Sequence, residues 1–203
     1  MMQTVEKYQY GLATSTLREE AIQLHRERYN EVGFLHKHEE DPYESDSLYF
    51  VVQDHEHHHI VGVTRLIFKP MLLLPTLEHF TIYDIELKKL QKLDQNSFAE
   101  ISAFTKMPQH EVGLDIIRTV FQYSIQNGIT HWICCIDERV YKYLNRVFGP
   151  VFKLIGEPKV YLGSVTIPCI LDIPAGTPIF KNTKPKLYDF LFTYEENIME
   201  VSK

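Results

Sequence analysis

Three groups of charged side chains stand in or beside apolar stretches of this sequence. The acidic stretch Glu39-Glu-Asp-Pro-Tyr-Glu44 precedes an apolar run, Arg65 lies inside the run 60–68, and Glu100 opens Glu100-Ile-Ser-Ala-Phe104. A buried charge is unfavourable unless an opposite charge or hydrogen bonds compensate it. The pattern therefore predicts an electrostatic cluster, and such clusters mark active sites more often than scaffolds.

Histidines and cysteines offer weaker candidates. Four histidines crowd into residues 55–59. A zinc site needs ligands held in fixed tetrahedral geometry, which a predicted turn does not supply, so we expect no metal site there. Cys134, Cys135 and Cys169 lie in apolar runs, where free cysteine packs as a small hydrophobic residue. Three cysteines make no disulfide framework, which favours a reducing, cytoplasmic environment.

Composition restricts the class of protein. The chain has 203 residues, 44% hydrophobic and 24% charged, as expected for one globular domain. Its formal net charge of -6 argues against a nucleic-acid-binding protein. No apolar stretch approaches the roughly 20 residues that cross a bilayer, and residues 1–10 lack a signal-peptide pattern. We expect a cytoplasmic protein with one main domain, 1–173, and an extension, 174–203, packed on it.

The elements that must position the charges follow from caps and apolar spacing. An N-cap followed by acidic residues predicts a helix over about 15–31, which Gly33 ends. Two β-rich runs, 47–53 and 60–68, are joined by the histidine-rich turn. They predict a hairpin that carries Arg65 in its second strand.

The second half of the chain alternates helices and strands. It predicts helices over 82–93, 112–126 and 138–148, and strands over 98–104, 129–136, 159–162 and 165–173. This order predicts an α/β (α+β) fold, in which a central mixed, mainly antiparallel sheet is flanked by helices.

The strand, loop and helix predicted over 98–125 are similar to the donor-binding segment of the Gcn5-related N-acyltransferase superfamily. There a strand leads into a turn, and backbone N–H groups with the next helix N-terminus bind pyrophosphate. His110-Glu-Val-Gly-Leu-Asp115 stands where the superfamily has Arg/Gln-x-x-Gly-x-Gly/Ala, and only Gly113 matches. An ordinary helix start is the alternative interpretation.

A larger part of the chain, about residues 15–173, resembles two branches of that superfamily. They are the acyl-homoserine-lactone autoinducer synthases and the long-chain N-acyl amino acid synthases. The shared features, in order, are Arg26, Arg28 and Tyr29, Glu39-Glu-Asp41-Pro-Tyr43-Glu44, Tyr49-Phe-Val-Val52, Gly62-Val-Thr-Arg65-Leu66, Phe80, Glu100-Ile-Ser102-Ala103-Phe104, Phe148-Gly-Pro, Gly156-Glu-Pro158 and Tyr161-Leu-Gly163 with Pro168.

Three positions depart from these families. Ala103 stands where they have an Arg, Phe34 where they have a Trp, and Asn145 where the superfamily often has a Tyr general acid. The Arg-to-Ala difference removes an expected cationic contact. It leaves the acceptor as the least defined part of the resemblance.

The resemblance implies transfer of a long acyl group from acyl carrier protein or acyl-CoA to the amine of an amino acid-like acceptor, with no tightly bound cofactor. An amine must lose a proton to attack a thioester, so a carboxylate is the expected base. The catalytic residues would be Glu100 and Arg65. Substrate contacts would come from Asp41, Glu44, Arg28, Ser102, Phe80 and Phe104. Asp41 and Glu44 would pair with Arg65 and with an arginine of the first helix, and would order the acceptor loop and bind the substrate ammonium. The donor would be bound by Thr105, Lys106, Met107, His110 and Gly113. Backbone N–H groups over 104–107 would meet the oxyanion.

Simpler interpretations of the same residues stay open. Glu100 could be solvated at a strand start, residues 39–44 an exposed acidic loop, Arg26 and Arg28 outward helix residues, and Phe80 part of the core. Functional alternatives are a lactone-forming autoinducer synthase that uses S-adenosylmethionine, a simple acetyltransferase, and a non-catalytic acyl-binding domain of the same fold.

Overall fold

A single twisted sheet organises the molecule. The computed structural model describes residues 7–31, 33 and 40–193. The strands are β1 (Tyr8–Leu12), β2 (Ser47–Asp54), β3 (Ile60–Ile67), β4 (Phe98–Lys106), β5 (His131–Asp137), β6 (Phe152–Leu154), β7 (Lys159–Tyr161) and β8 (Ser164–Asp172). Their order is β1-β2-β3-β4-β5-β8-β6, with β7 also paired to β8. Every pairing is antiparallel except that of β4 with β5. The predicted fold class is confirmed.

Seven helices connect or follow these strands in the described part of the chain. They are α1 (Ser15–Glu31), α2 (Pro75–His79), α3 (Asp84–Leu90), α4 (Gly113–Gln126), α5 (Glu138–Phe148), α6 (Ile173–Thr183) and α7 (Pro185–Phe192). Two short 3₁₀ turns cover Glu44–Asp46 and Met71–Leu73. None of the described helices is both long and apolar enough to cross a membrane.

The parallel β4–β5 junction is short. It pairs Phe98 with His131, Ala99 with Trp132 and Glu100 with Ile133, and no further. Both strands continue, β4 to Lys106 and β5 to Asp137, so their remaining lengths separate. We call the space between residues 101–106 and 134–137 the β4–β5 cleft.

The two faces of the sheet are covered by different helices, as the alternation of strand side chains requires. On one face α1 packs Leu17, Ala21 and Ile22 against Tyr49 and Val63. Farther along that face the core contains Ile67, Met71, Leu74, Leu90, Phe98, Ile133, Ile155 and Ile170. The opposite face contains the main core, which includes Phe50, Leu66, Val120, Phe121, Trp132, Phe148, Phe180 and Leu191.

Several elements match their predicted positions closely. Helix α1 begins at Ser15 and ends at Glu31, and α5 covers Glu138–Phe148, as predicted. The sequence did not predict β1 or β6, which are five and three residues long. The predicted helices also leave out α2. There a proline occupies the first turn of α2, where its missing N–H removes no helical hydrogen bond.

The C-terminal helices pack on the main core. Phe180 of α6 contacts Phe121 and Phe148 through ring edges, at centroid distances of 6.3 and 5.9 Å. Gln122 Nε2 donates to the Leu191 carbonyl at 3.2 Å. These contacts attach the segment predicted as an extension, of which residues 194–203 lie outside the described part. The boundary at residue 173 stays a prediction.

Candidate active site

Arg65 occupies the middle of β3 and is only 5% exposed. Its guanidinium pairs with the Asp41 carboxylate, its Nε donates to Ser102 Oγ at 2.9 Å, and Nη1 donates to the Tyr49 hydroxyl at 3.2 Å. Tyr49 and Ser102 belong to β2 and β4 and lie directly across from Arg65 in the sheet. The predicted pairing of Asp41 with Arg65 is therefore confirmed, and a hydroxyl on each neighbouring strand completes it.

A buried histidine stands beside this ion pair. His25 of α1 is 1% exposed, and its Nε2 lies 3.6 Å from Asp41 Oδ2, beyond hydrogen-bond distance. Neither ring nitrogen has a hydrogen-bond partner among the residues that the structure describes. Burial lowers the pKa of His25 despite the nearby carboxylate. For Asp41, burial acts to raise the pKa, but the His25 imidazole and the Arg65 guanidinium outweigh it and hold that pKa well below its usual range.

Helix α1 also holds the loop that follows Asp41. Arg26 pairs with Glu44 at 2.8 Å, and Arg18 donates to the Glu44 carbonyl at 2.8 Å. The prediction that Glu44 pairs with an Arg of the first helix is confirmed. Arg28, predicted as a substrate contact, instead pairs with the exposed Glu31 one turn along the helix. Because of the rotation of the helix between the two positions, Arg26 and not Arg28 faces Glu44. Glu39 lies outside the described residues.

Glu100 is completely buried, so the alternative of a solvated strand start is wrong. It is the third residue of β4, with Ile67 and Ile133 opposite it on the neighbouring strands. Its carboxylate accepts from the Thr76 backbone N–H at 2.9 Å and from the Thr76 hydroxyl at 2.8 Å. Burial raises the pKa of Glu100 to about 8, although the Thr76 hydrogen bonds act to lower it.

Further polar groups surround Glu100 and the β4–β5 cleft. The half-buried Cys135 of β5 interacts with the Thr76 hydroxyl, and burial raises the pKa of its thiol. Burial raises the pKa of Tyr161 of β7 to about 12, with smaller contributions from Cys135 and Glu100. Cys134 turns instead to the main core, where its Sγ lies 3.4 Å from Cys169 Sγ.

Ala103 forms a bulge in β4. Its φ of 56° is left-handed, and the pairing register with β3 shifts at this point. A left-handed conformation is uncommon for a residue other than glycine. Tyr29, at the end of α1, makes a hydrogen bond with the Ala103 backbone, and burial raises the pKa of Tyr29 to about 12. Ala103, where the resembled families have an Arg, is thus a buried residue at a bulge in the strand.

The two predicted aromatic contacts lie in different surroundings. Phe80 is buried, with its ring edge toward Tyr161 at 5.3 Å and the Lys159 ammonium 5.0 Å from its ring centroid. Phe104 is 46% exposed and lies over Gly113, the first residue of α4, where an added Cβ would be 3.6 Å from Phe104 Cζ.

The loop between β4 and α4 is held by internal contacts. Thr105 is buried, and Lys106 Nζ donates to the His110 carbonyl at 2.9 Å. The Met107 N–H donates to the Val61 carbonyl at 2.8 Å. That amide is not free, so the predicted oxyanion contact at Met107 is wrong.

His110 is also engaged elsewhere. Its Nδ1 lies 2.9 Å from the Tyr8 hydroxyl, so the imidazole faces β1. Donor binding at His110 stays a prediction. The first N–H groups of any α-helix have no intrahelical acceptor, and such a helix start can bind a phosphate. Donor binding at the start of α4 stays a prediction.

The histidine-rich turn is a local cap. The Asp54 carboxylate accepts from the backbone N–H groups of Glu56 and His57 at 2.9 and 3.0 Å. Asp54 Oδ1 also lies 3.1 Å from His57 Nδ1. Across the ranges that the structure describes, no three histidine, cysteine or acidic side chains are grouped to hold a metal ion.

A surface cavity of about 510 Å³ lies away from the predicted site. It is lined by Phe68, Lys69, Pro70, Gln95, Asn96, Tyr123, Asn127 and Ile129. None of the residues predicted to act on substrate or donor contributes to it, so it carries no part of the chemistry considered below.

Sequence reasoning missed several residues of this constellation. Thr76 and His25 carried no recognisable signal, because they belong to helices packed on the sheet from distant parts of the chain. Tyr49 and Tyr161 stand in the motifs described above, and their aromatic hydroxyls were the signal that could have marked them. Asn145 of α5 has a buried side-chain oxygen with no hydrogen-bond partner in the described part of the chain.

Solved structures share this fold. FeeM, an N-acyl amino acid synthase from uncultured soil microbes, superposes with a TM-score of 0.67 at 16% identity, covering 84% of this chain and 93% of FeeM. BjaI, a CoA-dependent acyl-homoserine lactone synthase solved with SAM and isopentyl-CoA, gives 0.63 at 16% identity, covering 91% and 88%. A putative N-acetyltransferase from Lactobacillus plantarum gives 0.59 at 13% identity, covering 83% and 99%.

Sequence comparison identifies the family. No curated protein sequence matches the chain. The family profile described as N-acyl amino acid synthase FeeM matches residues 20–172, which include the Asp41–Arg65 pair, Glu100, the β4–β5 cleft and α4. The chain therefore belongs to the FeeM family of N-acyl amino acid synthases and is an acyltransferase.

Proposed function

We propose that this protein transfers a long acyl group from acyl carrier protein or acyl-CoA to the amine of an amino acid-like acceptor. One observation carries the proposal: among the described strands, β4 and β5 form the only parallel pair, and they separate immediately after Glu100, beside Arg65 and Ser102. A thioester lying in the β4–β5 cleft would have its carbonyl near a carboxylate of raised pKa. The FeeM structure, which shares the fold, is of an N-acyl amino acid synthase, and the BjaI structure is of a CoA-dependent acyl-homoserine lactone synthase.

In the proposed reaction the acceptor nitrogen attacks the thioester carbonyl carbon. The new C–N bond forms, the C–S bond breaks, and the thiol of the carrier leaves. The acceptor ammonium gives one proton to the Glu100 carboxylate before attack, and the nitrogen loses a second proton as the amide forms. One of these protons ends on the departing thiolate and the other passes to solvent, so charge and protons balance.

Glu100 suits the role of base by its environment. A base is most effective when its pKa lies near the working pH, and burial raises the pKa of Glu100 to about 8. Thr76 fills only part of the acceptor capacity of the carboxylate, which offers about four lone-pair sites. A remaining site can accept from the acceptor amine directly or through one water.

The other predicted residues have supporting roles in this proposal. Arg65, held by Asp41, Tyr49 and Ser102, fixes the polar wall beside the cleft. Asp41 and Glu44 order the loop over the acceptor through their contacts with Arg65 and Arg26. Phe80 lines the acyl side.

The donor would lie along the other end of β4. Phe104 and Thr105 belong to the strand end that leads to α4, with Lys106 closing the loop onto His110. The α4 amides from Gly113 would receive a phosphate of the carrier. A cytoplasmic location is part of the proposal, and the three free cysteines are consistent with it.

A purified-protein assay tests this function. The protein is incubated with palmitoyl-CoA or palmitoyl-acyl carrier protein and a panel of amino acids, and products are read by mass spectrometry. We expect an N-palmitoyl amino acid together with an equal amount of free thiol. No product and an unchanged thioester would contradict the proposal and favour a non-catalytic acyl-binding domain.

The same assay separates the lactone-forming alternative. With S-adenosylmethionine as acceptor, an autoinducer synthase releases methylthioadenosine along with the acyl lactone. The structural likeness to BjaI makes this comparison necessary. Release of methylthioadenosine would replace the proposed acceptor class, whereas its absence together with amino acid acylation supports the proposal.

A further inference from the structure

Strand β4 is irregular beside the β4–β5 cleft. Its pairing with β3 shifts register between Val63 and Arg65, so that residues 103 and 104 lie opposite Thr64 alone. Two residues opposite one form a β-bulge, which bends its strand and leaves a peptide group outside the ladder. The backbone at Ala103 is left-handed, with a φ of 56°. The bulge therefore needs contacts from outside the ladder to hold it.

Two hydroxyl groups hold the peptide between Ser102 and Ala103. On one side the buried Thr64 hydroxyl donates to the Ser102 carbonyl at 2.8 Å. On the other side Tyr29 bonds to the Ala103 backbone, and this bond acts to lower the pKa of the phenol. A bond with that effect favours the phenolate, so the Ala103 N–H donates to the Tyr29 oxygen. Both polar groups of this peptide are therefore satisfied by side chains.

Tyr29 is itself held at the end of α1. Its ring meets the ring of the buried His25 edge-on, at a centroid distance of 4.1 Å. His25 lies beside Asp41, and Arg65 joins Asp41 to Ser102. The bulge is thus bounded by α1 on one side and by the buried ion pair at the residue before it.

The bulge lies where its geometry can influence acyl transfer. Glu100, the proposed base, is three residues before Ala103, and residues 101–106 form one wall of the β4–β5 cleft. Phe104, directly after the bulged residue, is 46% exposed and lies over the first residue of α4. A change of strand direction at Ala103 would move this wall relative to Glu100. A displacement of about 1 Å between reacting groups can slow a reaction by about 10²-fold.

We propose that Tyr29 is a positioning residue for acyl transfer, whose hydroxyl, together with that of Thr64, keeps the bulge at Ala103 and the wall of the β4–β5 cleft in place. The inference rests on the proposed function and adds a residue of α1 to that site. Tyr29 touches neither thioester nor acceptor and acts through the Ala103 peptide. Ala103 has no polar side chain, so its backbone conformation is what it contributes to the cleft.

Tyr29→Phe tests the inference, because it removes the hydroxyl and keeps a ring against His25. The assay uses palmitoyl-CoA and an amino acid that the wild-type protein acylates. We expect kcat to fall by about tenfold or more, with the KM values for donor and acceptor nearly unchanged.

Hydrogen exchange measures the contact itself. In ¹⁵N-labelled protein, Tyr29→Phe should make exchange at the Ala103 amide about tenfold or more faster, since the amide loses its acceptor. Tyr141→Phe is the matched control, because the Tyr141 hydroxyl donates to the Phe152 carbonyl at 3.1 Å and joins α5 to β6. This variant loses a comparable hydrogen bond and should leave both kcat and Ala103 exchange unchanged.

Ala103→Gly in the Tyr29→Phe background separates positioning from a loss of stability. Glycine adopts a left-handed conformation without a Cβ penalty, so we expect it to restore most of the lost kcat. No restoration, a wild-type kcat in Tyr29→Phe, or an equal loss of kcat in Tyr141→Phe would overturn the inference while leaving acyl transfer intact. If the wild-type protein acylates no amino acid, the proposed function itself fails and the inference fails with it.

Discussion

Thr76 and Glu100 form a fully buried hydrogen-bonded unit that joins the first turn of α2 to the centre of the sheet. The Thr76 N–H and hydroxyl donate to one carboxylate at 2.9 and 2.8 Å. The donors favour the ionised carboxylate and burial opposes it, with burial dominating. Glu100 is therefore poised to change its protonation state near neutral pH.

Replacing the carboxylate separates a catalytic from a structural role. Glu100→Gln keeps the shape and an oxygen that accepts from Thr76, but it cannot take a proton. We expect turnover to fall by about 10²-fold or more, as measured by product formation with saturating acceptor. An unchanged rate in a folded variant would remove Glu100 as the base.

The same variant predicts a pH effect on stability. The folded pKa of Glu100, about 8, is above its usual 4.5, so the protonated form favours folding. The free energy of unfolding should therefore fall as pH rises from about 4.5 to about 8, and Glu100→Gln should lack that component. Urea midpoints at pH 5, 7 and 9 measure this, and parallel profiles for the two proteins would contradict the assignment.

Removing one donor should move the activity profile. Thr76→Val deletes the hydroxyl hydrogen bond that favours the ionised carboxylate, so the pKa of Glu100 should rise further. kcat/KM should rise with pH as the base loses its proton. We expect the midpoint of that rise to move to higher pH by about half a pH unit to one pH unit. Thr177→Val, which removes a comparable hydroxyl from α6, is the control. A loss of activity without any shift would indicate misfolding rather than tuning of a base.

Breaking the buried ion pair should cost far more than breaking the outer one. Arg65→Met or Asp41→Asn leaves an uncompensated group and should destabilise the protein by about 3–5 kcal/mol. The double variant should lose less than the sum of the two. Arg26→Met with Glu44→Gln, at a pair whose side chains are 43% and 27% exposed, should cost about 1 kcal/mol or less. Denaturant titrations measure the free energy of unfolding of each variant. If the losses of the Asp41 and Arg65 single variants add up to the loss of the double variant, the two residues are not coupled.

Acid should destabilise the fold in two ranges. Burial lowers the pKa of His25, so the unfolded chain binds a proton there first, and the contribution of His25 to stability should fall below about pH 6.5, against the opposite contribution of Glu100. The lowered pKa of Asp41 adds a second loss below about pH 3.8. His25→Leu should remove the upper loss and weaken the lower one, because His25 helps to lower the pKa of Asp41. His55→Leu, at an exposed position, should leave the whole profile unchanged.

Gly156 should tolerate no side chain. An added Cβ would lie 2.3 Å from the Thr81 carbonyl oxygen, in the bridge that joins Gly156 to Ile82. We expect Gly156→Ala to destabilise the protein by about 2 kcal/mol or more, since the opposing atom is backbone. Gly176→Ala, whose Cβ would meet only side chains at 3.5 Å, should be nearly neutral by thermal unfolding. Similar midpoints for both variants would contradict this reading.

Most helices and strands were predictable because caps and apolar spacing lie within the element that they define. An N-cap and apolar spacing predict helix α1, and two β-rich runs around a turn predict the β2–β3 hairpin. β1 and β6 carry no such signal, since a strand of five or three residues at the sheet periphery has too short a pattern to recognise. Their existence depends on partners elsewhere in the chain.

The part of the site that could be predicted from the sequence is its buried ion pair. An Arg inside an apolar strand required an acid, and Asp41 supplies it. The role of Thr76 depends on the way α2 lies across β4, which no spacing within either segment records. For Arg28 and Arg26 the sequence offered two candidates, and only the rotation of α1 distinguishes them.

The short β4–β5 junction also has a mechanical meaning. The sheet consists of two halves, β1 to β4 and β5 to β8, whose direct backbone connection is three residue pairs long. The flanking β3–β4 and β5–β8 pairings have five and seven residue pairs. Fewer backbone hydrogen bonds therefore resist separation of the two halves at this seam, which ends at Glu100, than at either flanking pairing.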